Sequence, residues 1–242
     1  MLLPSGDGTL RSRRSVPLTP GRPARRDRPA GEVEPGSERD VRQAILDATE
    51  GLLADRRIAE VSVADVLAAA RVSRASFYFY FEGKGAVLAE LVRRAVAEGH
   101  DAAVAWVDRP DADDPAAGVR HGIAEGARLW RERAPLLRAV VETWRADDVV
   151  GDLWADLMGT YTSASAERIA QDRASGLAPD TGVEPFALAS TLTWLGERIY
   201  YLAAIGVPPF DDEQVVVDVL TEVWMATVYG RPGEGAAHGS AM

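Results

Sequence analysis

The chain has 242 residues, no cysteine and three scattered histidines, His100, His121 and His238. That length allows one large domain or two small ones, and the lack of cysteine excludes a disulfide framework, a thiolate zinc site and a thiol nucleophile. The formal net charge of −10 is unevenly spread: residues 1–31 carry seven Arg against two acids, residues 56–94 carry six Arg and one Lys against four acids, and residues 95–242 carry 11 Arg against 24 acids.

Residues 1–36 are rich in Pro, Gly, Arg and Ser and lack apolar periodicity, which predicts a disordered basic tail. It reads either as a solvated arm or as an arm that adds phosphate contacts. It has no apolar h-region, so no signal peptide is expected. No apolar run reaches the roughly 20 residues of a membrane helix, so no membrane partner is expected, and the lack of cysteine fits the expectation of a reducing cytoplasm.

Order is expected from Ser37, which has Asp40 three residues on in the manner of a capping box. Ile45, Leu46, Thr49, Leu52 and Leu53 then share one helical face. A second helix starts at Ser62, again with an acid three residues on (Asp65), and buries Val63, Val66 and Leu67. Ala70-Arg71-Val72 breaks it, and Ser73 caps a third, short helix through about Tyr80. A long helix follows from Gly83 to about Trp106. Asp114-Pro115 opens a helix to about Arg133, and Ala134-Pro135 opens another to about Arg145. Residues 149–175 carry Leu153, Trp154, Leu157, Met158 and Tyr161 on one stripe. Glu184-Pro185 opens a helix to Gly206, and Pro208-Pro209 stops it. Asp211 with Gln214 caps the last helix, which runs to Tyr229, and residues 231–242 form a disordered Gly/Ala tail. With no alternating strand pattern and no repeat, the fold class is all-α with about nine helices.

Two short helices around a tight break suit a helix-turn-helix, whose second helix lays its N-terminal residues in the DNA major groove. Such a helix must begin with small or polar side chains, and this one begins Ser73-Arg74-Ala75-Ser76. Ser73 offers a hydroxyl or a backbone N–H to phosphate at the positive helix end. Arg74 can reach guanine or phosphate, and Ala75 and Ser76 permit close approach. Phe77 and Phe81 fall on the buried face with Val72. Tyr78 and Tyr80 fall on other faces, where their hydroxyls can meet phosphates. Lys84, the only lysine in the chain, opens the next helix and is placed for the same backbone. Ser62, at the start of the preceding helix, completes the candidate contacts. The opposing reading is a purely aromatic core, but five consecutive aromatics on a helix spread around its axis and cannot all face inward. The basic island at 56–94 fits a reading head on an acidic body.

Residues 62–91 resemble the TetR family of transcriptional regulators. The resemblance is carried by Val72-Ser73-Arg74-Ala75-Ser76-Phe77-Tyr78-Phe79-Tyr80-Phe81-Glu82-Gly83-Lys84 and by Val87-Leu88. Arg71 stands where members often have glycine. The resemblance implies a helix-turn-helix domain over 37–83, a helical ligand-binding and dimerisation domain over 84–230, and a homodimer on a palindromic double-stranded operator. No cofactor, metal or catalytic residue is expected.

In the body, Trp154, Met158, Tyr161 and Ser165 share one helical stripe, and Thr193, Gly196, Glu197, Tyr200 and Tyr201 share another. An aromatic core explains such stripes, and so does a ligand pocket with a few polar groups. The chain also resembles one branch of the family, the regulators of ethionamide bioactivation. The shared features are FYFYF, Leu153-Trp154-x-x-x-Met158, Glu197-Arg198 and Val223-Trp224-x-x-Thr227-Val228-Tyr229-Gly230. That likeness implies an apolar tunnel for a small hydrophobic effector, lined by Trp130, Trp154, Met158, Tyr161, Ser165, Thr193, Glu197, Tyr201 and Trp224. Thr193 and Gly196 replace two asparagines expected there. Glu197 either reaches a partner within the bundle or orients a ligand, because a carboxylate on an apolar stripe is costly unless paired. The last two helices are expected to form the dimer, through Leu195, Arg198, Leu202 and Ile205 and through Val216, Val219, Leu220 and Val223. The combined expectation is a ligand-responsive repressor. An activator of the same family, an all-α enzyme and a tail-driven polyanion binder are the other readings. No nucleophile–base motif, metal-ligand spacing or phosphate loop supports the enzyme.

Overall fold

The structure is a computed structural model describing residues 35–98 and 114–230, with side-chain placement for residues 40–97 and 114–230. Helix α1 spans Pro35–Asp55, so it includes two residues before Ser37, and Ser37 and Asp40 lie inside the helix rather than at its cap. Proline suits a first helical turn, where its missing N–H is not needed. A 3-10 turn at Ile58–Glu60 leads into α2 (Val63–Ala70), and α3 spans Arg74–Tyr80. Then follow α4 (Lys84–Glu98), α5 (Pro115–Glu132), α6 (Ala134–Thr143), α7 (Asp148–Ala174), α8 (Pro185–Ala204) and α9 (Glu213–Tyr229). The described residues therefore hold nine α-helices and no strand. Pro35 and Gly36, expected in the N-terminal tail, are helical; the rest of the proposed tails and the end of the helix expected to reach Trp106 lie outside the described residues.

Local chemistry explains most boundaries. The caps Ser62, Ser73, Asp114, Asp147 and Glu184 each accept a hydrogen bond from a backbone N–H of the following turn. Each thereby satisfies one of the free donors that every helix start leaves open. The last helix departs by one residue from expectation: Asp212, not Asp211, accepts from Gln214 N at 2.9 Å. Helix α8 ends at Ala204, and Gly206 takes the left-handed backbone (φ 71) that turns the chain away.

Residues from Pro35 onward form one compact unit. Two apolar clusters fill it. The first joins Ile45, Leu46 and Leu53 of α1, Val66 of α2 and Phe77 and Phe81 near α3 to Val87 and Leu88 of α4, Leu136 and Leu137 of α6 and Trp154 of α7. It therefore crosses the 83/84 boundary expected between head and body. The second gathers Val119 and Ile123 of α5, Ile169 of α7, Leu192 of α8 and Val216, Leu220 and Met225 of α9. Val216 and Leu220 are each only 1 % exposed in this core. They therefore cannot form the dimer face expected of them; Val219, 41 % exposed, is the large apolar residue that α9 turns outward.

A buried polar knot ties α7 to the end of α9. Asp172 accepts from the Arg168 guanidinium at 2.6 Å and from the Tyr229 hydroxyl at 2.6 Å, and all three side chains are buried. Charge in an apolar core is tolerated only when paired in this way.

Candidate functional site

At the head, helix α2 starts on a reciprocal capping box. Asp65 accepts from the Ser62 backbone N–H at 2.8 Å and from its hydroxyl at 2.6 Å, while Ser62 Oγ accepts from the Asp65 N–H at 3.2 Å. These bonds, with Arg56 at 3.4 Å, hold the Asp65 carboxyl down to about 2. Arg71 ends α2 at φ 56, ψ 40, the left-handed conformation that glycine adopts freely. A non-glycine residue there carries roughly 1–2 kcal/mol of strain. The turn lets Ser73 cap α3: Ser73 Oγ accepts from Ser76 N at 3.0 Å and lies 2.8 Å from Ser76 Oγ.

Phe77 and Phe81 anchor α3 in the first core cluster, at 0 % and 5 % exposure. Burying such side chains is worth about 1.5–3 kcal/mol each. This fixes the face that α3 turns to solvent: Ser73, Arg74, Ala75, Tyr78 and Phe79 are exposed, while Ser76 and Tyr80 are half-buried. The Arg74 guanidinium lies over the Tyr78 ring, 6.0 Å from its centroid. Phe79 is a residue that sequence reasoning passed over. It is 73 % exposed, and the run of five aromatics hid which of them face outward.

Lys84 sits differently from expectation. Its ammonium donates to the carbonyls of Ile58 at 2.9 Å and Val61 at 3.1 Å, pinning α4 to the 3-10 turn. An ammonium has three N–H donors, so one is left for a phosphate.

In the body, Trp130 sits between two aromatics, edge-on to Trp154 at 6.3 Å and stacked with Tyr200 at 6.1 Å. The Tyr200 hydroxyl donates to the Ile123 carbonyl at 3.0 Å. Gly126 permits this approach, since a Cβ there would lie 2.8 Å from the phenol oxygen. Trp130, Trp154 and Met158 belong to one cluster, with Tyr201 packed against it, whereas Trp224 packs on the other cluster. Ser165 is buried and Tyr161 half-buried, its phenol pushed up by burial. The Thr193 hydroxyl is spent on its own helix, donating to the Ala189 carbonyl at 2.8 Å.

Glu197 is only 5 % exposed, and its Oε1 has no hydrogen-bond partner. Its Oε2 lies 3.9 Å from Arg198 Nε, beyond hydrogen-bond reach. Burial pushes the carboxyl above its usual range, and Arg198 only partly offsets this. Among the described residues no arginine or backbone amide hydrogen-bonds Oε1, and Arg198 is the charged neighbour. The indole N–H of Trp154 is also buried without a partner. Buried polar groups are rarely left so, and each such exception calls for an explanation.

One polar chain leads from this region to the head. The Tyr201 hydroxyl, one turn beyond Glu197, donates to Glu142 Oε1 at 3.5 Å. Glu142 also accepts from Arg57 Nε at 3.3 Å and pairs with its Nη2 at 3.3 Å. Arg57 directly precedes the 3-10 turn that holds Lys84. Among the described residues no acidic or histidine cluster could hold a metal ion, and no helix is long and apolar enough to cross a membrane.

Comparison with known proteins follows these two regions. Residues 45–91 match the family described as "Bacterial regulatory proteins, tetR family", and residues 119–230 match "Transcriptional regulator EthR, C-terminal domain". The HTH-type transcriptional regulator EthR of Mycolicibacterium smegmatis is 32 % identical over 213 residues, spanning 87 % of this chain and 93 % of that protein. The chain belongs to the TetR family of transcriptional regulators. EthR of Mycobacterium tuberculosis is likewise 32 % identical, over 81 % of this chain and 89 % of that protein. Solved TetR-family structures share the all-α fold. A putative regulator from Syntrophomonas wolfei superposes with a TM-score of 0.63 at 12 % identity, covering 78 % of this chain and 95 % of that one. SmeT, the repressor of a Stenotrophomonas maltophilia multidrug efflux pump, gives 0.58 at 18 % identity, over 77 % of this chain and 91 % of that one. TetR-family regulators are not enzymes, and this chain acts on transcription.

Proposed function

We propose that this TetR-family regulator is a ligand-responsive repressor that acts in the cytoplasm. In this reading residues 37–83 read DNA, and residues 84–230 bind the effector and form the dimer. The observation that carries the reading is the solvent-facing side of α3, where Ser73, Arg74, Ala75, Tyr78 and Phe79 stand together on a helix clamped from behind by Phe77 and Phe81.

Arg74 and Ala75 enter the major groove, Arg74 on guanine and Ala75 or Phe79 on thymine methyls. Ser62, Ser73, Ser76, Tyr78, Tyr80 and the remaining N–H of Lys84 contact phosphates and set the register. Exposed Phe186 and Trp194 on α8, Ile205 at its C-terminal cap and Val219 on α9 support a homodimer through these two helices. Two-fold symmetry then matches an inverted-repeat operator.

A small, mostly apolar effector enters the body beside Trp130, Trp154, Met158, Tyr161, Ser165, Thr193, Glu197 and Tyr201. Trp224, packed on the other cluster, contributes only from the far side. An effector that displaces Tyr201 acts through Glu142 on Arg57, and so on the turn that seats α2. It shifts the head only by its difference in affinity for the two states.

The test is selection of bound DNA from a random pool by the full-length protein. Two inverted half-sites, centred about one helical turn or a multiple of it apart, are the expected product. Enrichment that follows salt but not sequence would sink the reading.

A further inference from the structure

Building on the effector reading above, we propose that the effector is an organic cation, an apolar molecule bearing a protonated amine, with Glu197 as its counter-ion. Three observations converge on this. The first is the carboxylate itself: nearly fully buried, with Oε1 free of any hydrogen bond and Oε2 no closer than 3.9 Å to Arg198. The Arg198 side chain is 54 % exposed, and its guanidinium lies over the Tyr201 ring, 5.2 Å from the centroid. It therefore meets the carboxylate from the solvent side and leaves the inner oxygen unanswered.

The second observation is space. Gly196 is buried, yet a Cβ built on it would meet only the Tyr200 ring, at 3.7 Å. A methyl group would therefore fit on α8 at the position that precedes Glu197, against the Tyr200 ring. The third is the lining. Tyr200 and Tyr201 follow Glu197 by one turn, Trp130 stacks on Tyr200, and Trp154 lies edge-on to Trp130. Aromatic rings attract cations through their negative faces, most strongly away from water.

A neutral hydroxyl would satisfy the hydrogen bond of Oε1 but leave the charge to Arg198 alone, 3.9 Å away on the solvent side. An ammonium answers both, and a charge-assisted bond is roughly twice as strong as a neutral one. The unpaired Trp154 N–H places one further demand on the ligand, a hydrogen-bond acceptor some distance from the amine.

The experiment titrates full-length protein, free of DNA, with n-decylamine and with decan-1-ol below their aggregation limits, by calorimetry and tryptophan fluorescence. The two probes share a chain and differ in charge. The wild type is expected to bind the amine at least about ten-fold tighter, a difference of about 1.4 kcal/mol. Glu197→Gln should abolish that preference while keeping alcohol binding, and Glu197→Asp, which retains the charge, should keep it. Circular dichroism checks that both variants fold. Equal binding of the two probes by wild type, binding of neither, or a preference that survives Glu197→Gln overturns the inference. A separate arm measures release of the selected operator. If decanol binds and releases DNA with no preference for the amine, the effector site stands and the cation falls. If both probes bind and neither releases DNA, the switch falls while the cation site stands.

Discussion

At the scale of single residues, the head depends on a few polar atoms at helix ends. Ser62 and Asp65 satisfy each other and the first turn of α2 at once. Ser62→Ala should cost about 1 kcal/mol, the usual value of an N-cap, read as a lower midpoint in denaturant. The same pair sets a pH dependence. The carboxyl of Asp65 titrates near 2 in the folded chain, against an ordinary value of 3.8. A depressed acid contributes stability that is complete above the ordinary value and is lost as pH falls towards the folded one. Stability should therefore drop between about pH 4 and pH 2, and Ser62→Ala should flatten that drop. An unchanged acid limb in the variant would rule out the pair as its source. Spacing alone made this cap legible, since both partners lie within one turn. Lys84 was not legible in the same way, because its acceptors, Ile58 and Val61, lie 26 and 23 residues back in the chain.

At the scale of elements, the helices followed from caps and periodicity, while their outward faces did not. Asp114-Pro115, Ala134-Pro135 and Glu184-Pro185 punctuate the chain by purely local chemistry, so α5, α6 and α8 begin where those signals stand. Helix α9 shows the limit. Val216, Val219, Leu220 and Val223 look alike in sequence, yet two of them are enclosed by α5 and α8 and one faces solvent. Only the packing of distant helices makes that choice. The knot of Arg168, Asp172 and Tyr229 is equally non-local, with Tyr229 57 residues from its acceptor. Removing one member of a buried ion pair leaves a charge without compensation, at a cost of about 3–5 kcal/mol. Asp172→Ala should lower stability by that order in guanidinium titrations. A loss under about 1 kcal/mol would mean that Arg168 finds another route to satisfaction. In the candidate effector region the aromatic stripes were readable, but the unpaired atoms of Glu197 and Trp154 were not, because a missing partner is a property of the surroundings.

At the scale of the whole molecule, the first apolar cluster runs without interruption from α1 to α7. Head and body should therefore unfold together. All six tryptophans lie beyond residue 100, so tryptophan fluorescence reports the body alone, whereas far-UV circular dichroism reports every helix. The two signals should fall on one curve in guanidinium, as a cooperative unit requires. An earlier step in the dichroism alone would mean that the head melts on its own. The core bears equally on re-engineering. Regulators of this type invite chimeras, in which the reader of one protein is spliced to the sensor of another. A splice at 83/84 would cut through the one apolar cluster that holds Phe77 and Phe81 together with Val87, Leu88, Leu136 and Trp154. A retargeted hybrid of this protein should carry its own α4, α6 and first turns of α7 along with the reading helix, so the exchangeable cassette is much larger than the part that touches DNA.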